Sequence, residues 1–451
     1  MKCKIYLPLL AAALLASCAT MQTELSVQID PVPGEWRSPL QQEQTGGHDQ
    51  AYSAELHELI QQALEYHPDI RHARANLDEA LALEEVARVR RLPQIGWSGR
   101  AQYNGRNSAD QRTASAGLNL QWDADIGRQQ YSRFQAAKLE TMARRATLSH
   151  TKKQMIRTVA TAYLDYRHAR LAVALAERSL TIQTSLTDLA MRRVDAGLAP
   201  RADLTRARAD LQSAQAELHA LIGQKRQALL TVSIAVGLRN DVILDRENVG
   251  DDLVNIISLP AIDLPADTIR RRSDIQQAEL ELLRTLVEGG IAQGDYWPGL
   301  SFPVELQLDL THPAQLAQSI VLSVGLELSQ TIYDGGLRDS ELKVAEAQLD
   351  KALSVYEGVV TQALGEVEQT LSALKNLMAT LDALRIAANT RIDAYEDVAL
   401  LNREGLVSFQ ELLSAQRDLV AAERAVLDQS LLVVQTRLSL HLDLGLLSFG
   451  A

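Results

Sequence analysis

Two periods alternate along this chain. Over residues 94–104 the apolar positions are every second one, Ile95, Trp97, Ala101 and Tyr103 with Gly99 among them, while Gly96, Ser98, Arg100, Gln102 and Asn104 fall on the other side. Residues 113–123 repeat the pattern with Ala114, Ala116, Leu118, Leu120 and Trp122. So do residues 300–310, through Phe302, Val304, Leu306, Leu308 and Leu310, and residues 319–329, through Ile320, Leu322, Val324, Leu326 and Leu328. A period of two predicts β-strands with one apolar and one polar face. Each run is ten to eleven residues long, which suits a tilted membrane-crossing strand of ~9 to 11 residues. Trp97, Trp122 and Trp297 near the run ends fit an interfacial aromatic girdle. Half-buried hairpins of a soluble domain alternate in the same way, so the pattern alone leaves both readings open.

The other period is helical. Residues 128–195 contain neither Pro nor Gly, and residues 337–404 contain only Gly358 and Gly365 as breakers. At 1.5 Å per residue either stretch makes a helix on the order of 100 Å long, too long for a globular core. In the second, Leu342, Leu349, Tyr356 and Ala363 share one heptad position, and Ala345, Ala352 and Val359 the other. Glu366 interrupts, and the seam restarts one residue later as Val367, Leu371, Leu374, Met378 and Leu381. Such a stutter relaxes the left-handed supercoil, which lets helices run nearly straight, side by side, around a cylinder. A plain antiparallel coiled coil carries a similar seam. Turns at Ala196-Gly197-Leu198 and Glu404-Gly405-Leu406 end the two long helices, and returning helices follow with seams Leu204, Ala207, Leu211, Ala214, Leu218 and Leu412, Ala415, Leu419, Ala422, Val426. Strands and turns therefore lie at opposite ends of the long helices.

The turn and the returning helix occur twice. Moved 208 positions on, Gly197-Leu198 falls on Gly405-Leu406, Leu204 on Leu412, Asp210-Leu211 on Asp418-Leu419 and Gly237-Leu238 on Gly445-Leu446. Upstream, Pro68-Asp69-Ile70 matches Ser273-Asp274-Ile275 and Pro93 matches Pro298 at an offset of 205, and Gly127 matches Gly335 at 208. So steady an offset marks an internal duplication. The expected order is a leader, repeat one over residues 52–238, a linker over 239–263 and repeat two over 264–446. Each repeat reads as helix, strand, strand, long helix (128–195 or 337–404), tip (196–200 or 405–408) and returning helix (201–237 or 409–445).

Composition agrees with long helices in close contact. Aromatics are 4% of a chain that is 46% hydrophobic, so the apolar content is mostly Ala, Leu and Val. The net charge of −12, with Lys and Arg scattered, argues against a nucleic-acid surface. Both cysteines, Cys3 and Cys18, fall in the leader, so the body can form no disulfide and no thiolate metal site. Lys2 and Lys4, the apolar run 5–15 and Leu15-Ala16-Ser17-Cys18 make a secretory signal over residues 1–17. Its end resembles the bacterial lipobox, which implies cleavage before Cys18, covalent lipid (palmitate among it) on that residue and, with Ala19 next, delivery to the outer membrane. Residues 18–51, with three prolines and Gly34, Gly46 and Gly47, then read as an extended tether.

The chain resembles the outer-membrane efflux protein family, the TolC-like exit ducts of tripartite pumps, and within it the lipid-anchored members that serve resistance-nodulation-division (RND) transporters. The residues that carry the likeness are His67-Pro68-Asp69-Ile70, Arg271-Arg272-Ser273-Asp274-Ile275 with Ala278-Glu279, Ile332-Tyr333-Asp334-Gly335-Gly336 and the twin tips. It implies a mainly α fold with a small transmembrane β part: a homotrimer forming a twelve-stranded β-barrel continued by a twelve-helix α-barrel, two tandem repeats per chain. Adaptor contact is implied for Gly197, Leu198, Gly405 and Leu406, although a capping glycine beside a packing leucine suits any helical hairpin. A periplasmic aperture narrowed by acids is implied for Glu411, with Asp203 as its counterpart; the family's second acid is Ser414 here. Three crowded Glu411 carboxylates would exclude anions. A surface ion pair with Arg206 is the plainer reading of Asp203.

No phosphate loop, HExxH or Gly-x-Ser-x-Gly occurs, and the nine histidines are dispersed. The chain therefore reads as no enzyme, with no cofactor or metal beyond covalent lipid. The expected partners are an adaptor (membrane fusion) protein, an RND-type transporter and outer-membrane lipid. A type I protein-secretion duct and a structural coiled-coil lipoprotein are the alternatives.

Overall fold

The computed structural model describes residues 33, 35–37, 52–104, 111–237, 253–260, 262, 265–310 and 320–446. The signal segment, Cys18, most of the tether and the two strand-connecting loops lie outside the described residues. The chain is mostly helical. Helices α1 (Ala54–Tyr66) and α2 (Pro68–Val89) lead into strands β1 (Gln94–Asn104) and β2 (Gln111–Ala124), the long α3 (Gln129–Asp195) and the returning α4 (Arg201–Val236). A 3-10 turn at Val254–Ile256 follows. The order then recurs as α5 (Pro265–Arg271), α6 (Ser273–Gly294), β3 (Gly299–Asp309), β4 (Ile320–Val324) with β5 (Glu327–Ser329), α7 (Leu337–Arg403) and α8 (Phe409–Asp443).

Two expectations need correction. One leading helix per repeat was expected and there are two, broken at His67 and at Arg272. Pro68 explains the first break, because a residue before proline is driven out of the helical region; His67 sits at φ −65°, ψ 135°. Arg272 adopts φ −74°, ψ 124° without a proline behind it. Its side chain is committed elsewhere, as described below. The expected strand over residues 319–329 is interrupted at Gly325-Leu326. Pro303 lies opposite Gly325 and has no N–H to donate to the ladder, so only the Gly325 N–H to Pro303 carbonyl bond, 2.9 Å, remains there. A Cβ on Gly325 would come within 3.0 Å of the Pro303 ring, which keeps that position glycine.

The strands form one antiparallel sheet in the order β1-β2-β3-β4, with β5 also on β3. Registers such as Trp97↔Leu118↔Leu306↔Leu322 put every apolar run on one face. That face is uncovered: Trp97 is 79% exposed, Val324 73% and Leu328 67%. The opposite face carries Arg100, Asn119, Gln121, Glu305 and Gln307.

The long helices change partners along their length. Towards the sheet, contacts run α2, α3, α6, α7 across the unit; towards the tips they run α4, α3, α8, α7. The returning helices thus end where α2 and α6 begin. Gly237 (φ 79°) closes α4 against His67, and Gly445 (φ 69°) closes α8 against Arg271. Two apolar cores lie at this level. One joins Leu56, Ile60, Ile156, Val159, Tyr163, Val232 and Ile257; the other joins Val367, Leu371, Leu374, Val433 and Leu440, with Trp36 packed against it. The segment 253–262, which composition reads as linker, feeds both cores. Within the first, Arg167 is 2% exposed and donates to the Tyr163 hydroxyl at 3.1 Å, which in turn donates to Glu55 at 2.6 Å. Burial and the Glu55 hydrogen bond push the Tyr163 pKa up to about 12. The network ties α1 to α3 with a fully buried cation.

The junction glycines and the tip glycines should respond differently to alanine. A Cβ at Gly237 or Gly445 meets backbone at 3.2 and 3.1 Å, whereas at Gly197 or Gly405 nothing lies within 4 Å. In denaturant titrations Gly197→Ala and Gly405→Ala should lose only the left-handed backbone penalty, ~1 to 2 kcal/mol. Gly237→Ala and Gly445→Ala should lose clearly more.

Candidate functional site

The two tips share one construction. Gly197 takes φ 72°; its N–H donates to the Val194 carbonyl at 2.9 Å, and the Leu198 N–H donates to Arg193 at 2.8 Å. Gly405 takes φ 75°, donating to Asn402 at 3.1 Å, while Leu406 donates to Leu401 at 2.9 Å. This paired closure of the last carbonyls is a Schellman cap, and its left-handed residue demands glycine. Capping therefore accounts for Gly197 and Gly405. It does not account for the leucines. The residue after such a glycine commonly packs back on the last turn, yet Leu198 is 73% exposed and Leu406 72%.

Below their loops the tips pack against each other. Leu186 and Ala190 of α3, Ala207 of α4 and Phe409, Leu412 and Leu413 of α8 form one buried cluster, flanked by Tyr395 and Val398 of α7. Polar bonds cross the same seam: Arg193 Nη1 donates to Asn402 Oδ1 at 3.3 Å, and Arg206 Nη1 donates to Gln410 Oε1 at 3.0 Å. Asn402, 3% exposed, also donates from Nδ2 to the Val407 carbonyl at 3.0 Å, which braces the second loop from inside. The sequence reading missed Asn402. Its signal was a break in the duplication, since Val194 stands 208 positions before it.

Asp203 and Glu411 hold the same place, the third residue of α4 and of α8. Carboxylates in a first turn favour the helix dipole by ~0.3 to 1 kcal/mol. The Glu411 N–H donates to Ser408 Oγ at 3.2 Å, and Ser408 with Glu411 has the spacing of a capping box. Glu411 itself is exposed and Asp203 half-buried. Arg206, the expected partner of Asp203, is instead turned to Gln410. The structure thus brings the two acids to the first turns of neighbouring tips, beside the exposed leucines, and leaves Ser414 exposed one turn on. Lipid attachment at Cys18 lies outside the described residues. Among those residues, no His, Cys, Asp and Glu cluster has metal-binding geometry, and no helix is long and apolar enough to cross a membrane.

Comparisons with known proteins agree with this architecture. A family described as outer membrane efflux protein matches residues 59–238 and again 264–446. The probable efflux pump outer membrane protein TtgC of Pseudomonas putida is 25% identical over 92% of this chain and 90% of its own. Outer membrane protein OprJ of Pseudomonas aeruginosa is 26% identical over 94% and 91%. The open state of the Neisseria gonorrhoeae MtrE outer membrane channel superposes with a TM-score of 0.83 at 22% identity, covering 93% of this chain and 97% of that one.

Stability should separate the tip residues. Leu198→Ser and Leu406→Ser remove exposed side chains and should shift unfolding by no more than ~0.5 kcal/mol. Asn402→Ala strands the Arg193 guanidinium and the Val407 carbonyl, and should cost about 1 to 3 kcal/mol, with amide exchange accelerated around residues 396–410.

Proposed function

From the premise that the chain belongs to the outer membrane efflux protein family, we propose that it is the exit duct of a tripartite efflux pump. It is an outer-membrane protein that passes small molecules outward, and transport draws its energy from an inner-membrane transporter reached through a periplasmic adaptor. The observation that carries the reading is the sheet with one wholly apolar, uncovered face and one polar face, set at the far end of ~100 Å helices from the tips.

Such a sheet cannot stay open in lipid, where every unpaired edge group is penalised by several kcal/mol. Counting β4 and β5 as one interrupted strand, three copies close twelve strands. Four helices stand side by side at each level, so the same three copies make a twelve-helix tunnel. Cys18 carries the lipid at the start of the tether, residues 18–51, and the packing of Trp36 on the second core supports a docked stretch within it. The tips then hang in the periplasm. Leu198 and Leu406, held out by glycine caps, are the adaptor contacts. Glu411, with Asp203 beside it, gathers about the threefold axis as the narrow, cation-favouring aperture.

Planar-bilayer recording of the purified protein tests this. Wild type should show small, cation-selective channels from a heat-modifiable trimer, and Glu411→Ala should raise conductance and weaken selectivity. Leu198→Ser with Leu406→Ser should leave that channel intact while abolishing efflux in cells. A monomer without channel activity would reject the duct. Conductance indifferent to Glu411→Ala would keep the duct and remove that residue from the aperture.

A further inference from the structure

Where α8 ends against the start of α6, a cleft of about 490 Å³ opens between α3, α6, α7 and α8. Charged groups line it from every side: His150, Lys153 and Arg157 of α3, Arg272 and Asp274 at the head of α6, Glu366 of α7 and Asp443 of α8. His150, Lys153 and Arg157 lie on the flank of α3 opposite Val159 and Tyr163, and Leu442 is where the cleft borders the apolar core.

Donors and acceptors in the cleft do not balance. Both Asp274 oxygens accept from Arg272, at 3.1 and 2.7 Å. Glu366 accepts from Arg272 at 2.7 Å and from Gln362 at 2.9 Å. Asp443 accepts from Arg157 at 3.4 Å and from the Thr370 hydroxyl at 3.0 Å. Every carboxylate oxygen of these three acids is engaged. Of the cations, Arg272 is engaged as fully as the acids, through Asp274, Glu366 and the Asp443 carbonyl, whereas Lys153 and Arg157 are not. Among the described residues Lys153 Nζ meets only the Arg271 carbonyl, at 3.2 Å, one bond for its three donors. Arg157, half-exposed, uses one of five donors in that long contact with Asp443. Burial, the largest influence on Lys153, lowers its pKa, and the nearby Arg272 adds to this while the Asp274 carboxylate opposes it. Burial likewise raises the pKa of Asp443, against the lowering pull of the Thr370 hydrogen bond and of Arg157 and Arg272.

We infer that this cleft is a binding station for small oxyanions, carboxylates or phosphates, held by Lys153 and Arg157. The binding does not rest on the duct reading, and the anion is not assigned as cargo, because the aperture proposed above excludes anions.

Equilibrium dialysis of the full-length protein in detergent against radiolabelled inorganic phosphate, at constant ionic strength, tests it without any channel. Wild type should bind saturably. Lys153→Gln and Arg157→Gln should each weaken affinity at least about tenfold, the size of one charge-assisted hydrogen bond. Asp443→Asn, which keeps the shape and removes the opposing charge, should tighten it, and Lys375→Gln, at an exposed position elsewhere on α7, should change nothing. No saturable binding by wild type, or binding that survives both Lys153→Gln and Arg157→Gln, would overturn the proposal. Since bilayer conductance is measured separately, a working channel without phosphate binding rejects the station and leaves the duct standing.

Discussion

A helix of 67 residues buries only a stripe of itself, and something must cover that stripe along its whole length. This constraint orders the rest of the chain. No single partner does it: α3 and α7 are covered near the sheet by α2 and α6 and near the tips by α4 and α8. Each change of partner brings a helix end into the interior, with carbonyls that need closing. Gly237 and Gly445 close them in the left-handed conformation, pressed against the chain that opens the next helix. The thickest cores gather at that level, where α1, the 253–262 segment and Trp36 cover the joints.

The two joints solve one geometrical problem with different chemistry. In the first, proline enforces the break before α2, and the surroundings are apolar, with Val232 and Val236 fully buried. In the second, serine replaces proline, and Arg272 is drawn out of helical geometry by two carboxylates and by the Asp443 carbonyl at 3.3 Å. Positions 208 apart show the substitution directly: Thr158 and Ala235 stand where Glu366 and Asp443 stand later. Duplication preserved the joint and freed one copy of it to become polar.

Much of this was legible in the sequence because periodicity and breakers are local. The alternation at 95–103 and 302–308 is the sheet's two faces, the proline-free runs are the long helices, and the restarted seam of Val367, Leu371 and Leu374 is fully buried. What escaped depends on partners remote in sequence. The break at Arg272 needs Glu366, the gap after β4 needs Pro303 across the ladder, and the bracing of the second tip needs Asn402 to meet Arg193. The 253–262 segment looked like linker since its apolar residues are split between two cores and show no single period.

The tips show how far local structure explains a functional candidate. A glycine cap is a sufficient reason for Gly197 and Gly405, and a first-turn carboxylate is a sufficient reason for Asp203 and Glu411; none of the four needs a partner outside the chain. Leu198 and Leu406 are different. Each follows a glycine that turns the chain outward, each is exposed by more than two-thirds, and neither joins the cluster beneath the tips that buries Leu412 and Leu413. Folding alone would favour a polar residue at both positions, because an exposed apolar side chain gains nothing from burial and invites association. On the exit-duct reading, these two leucines, one at each tip, belong to the surface that the adaptor completes. The glycines are the means by which they are presented to it.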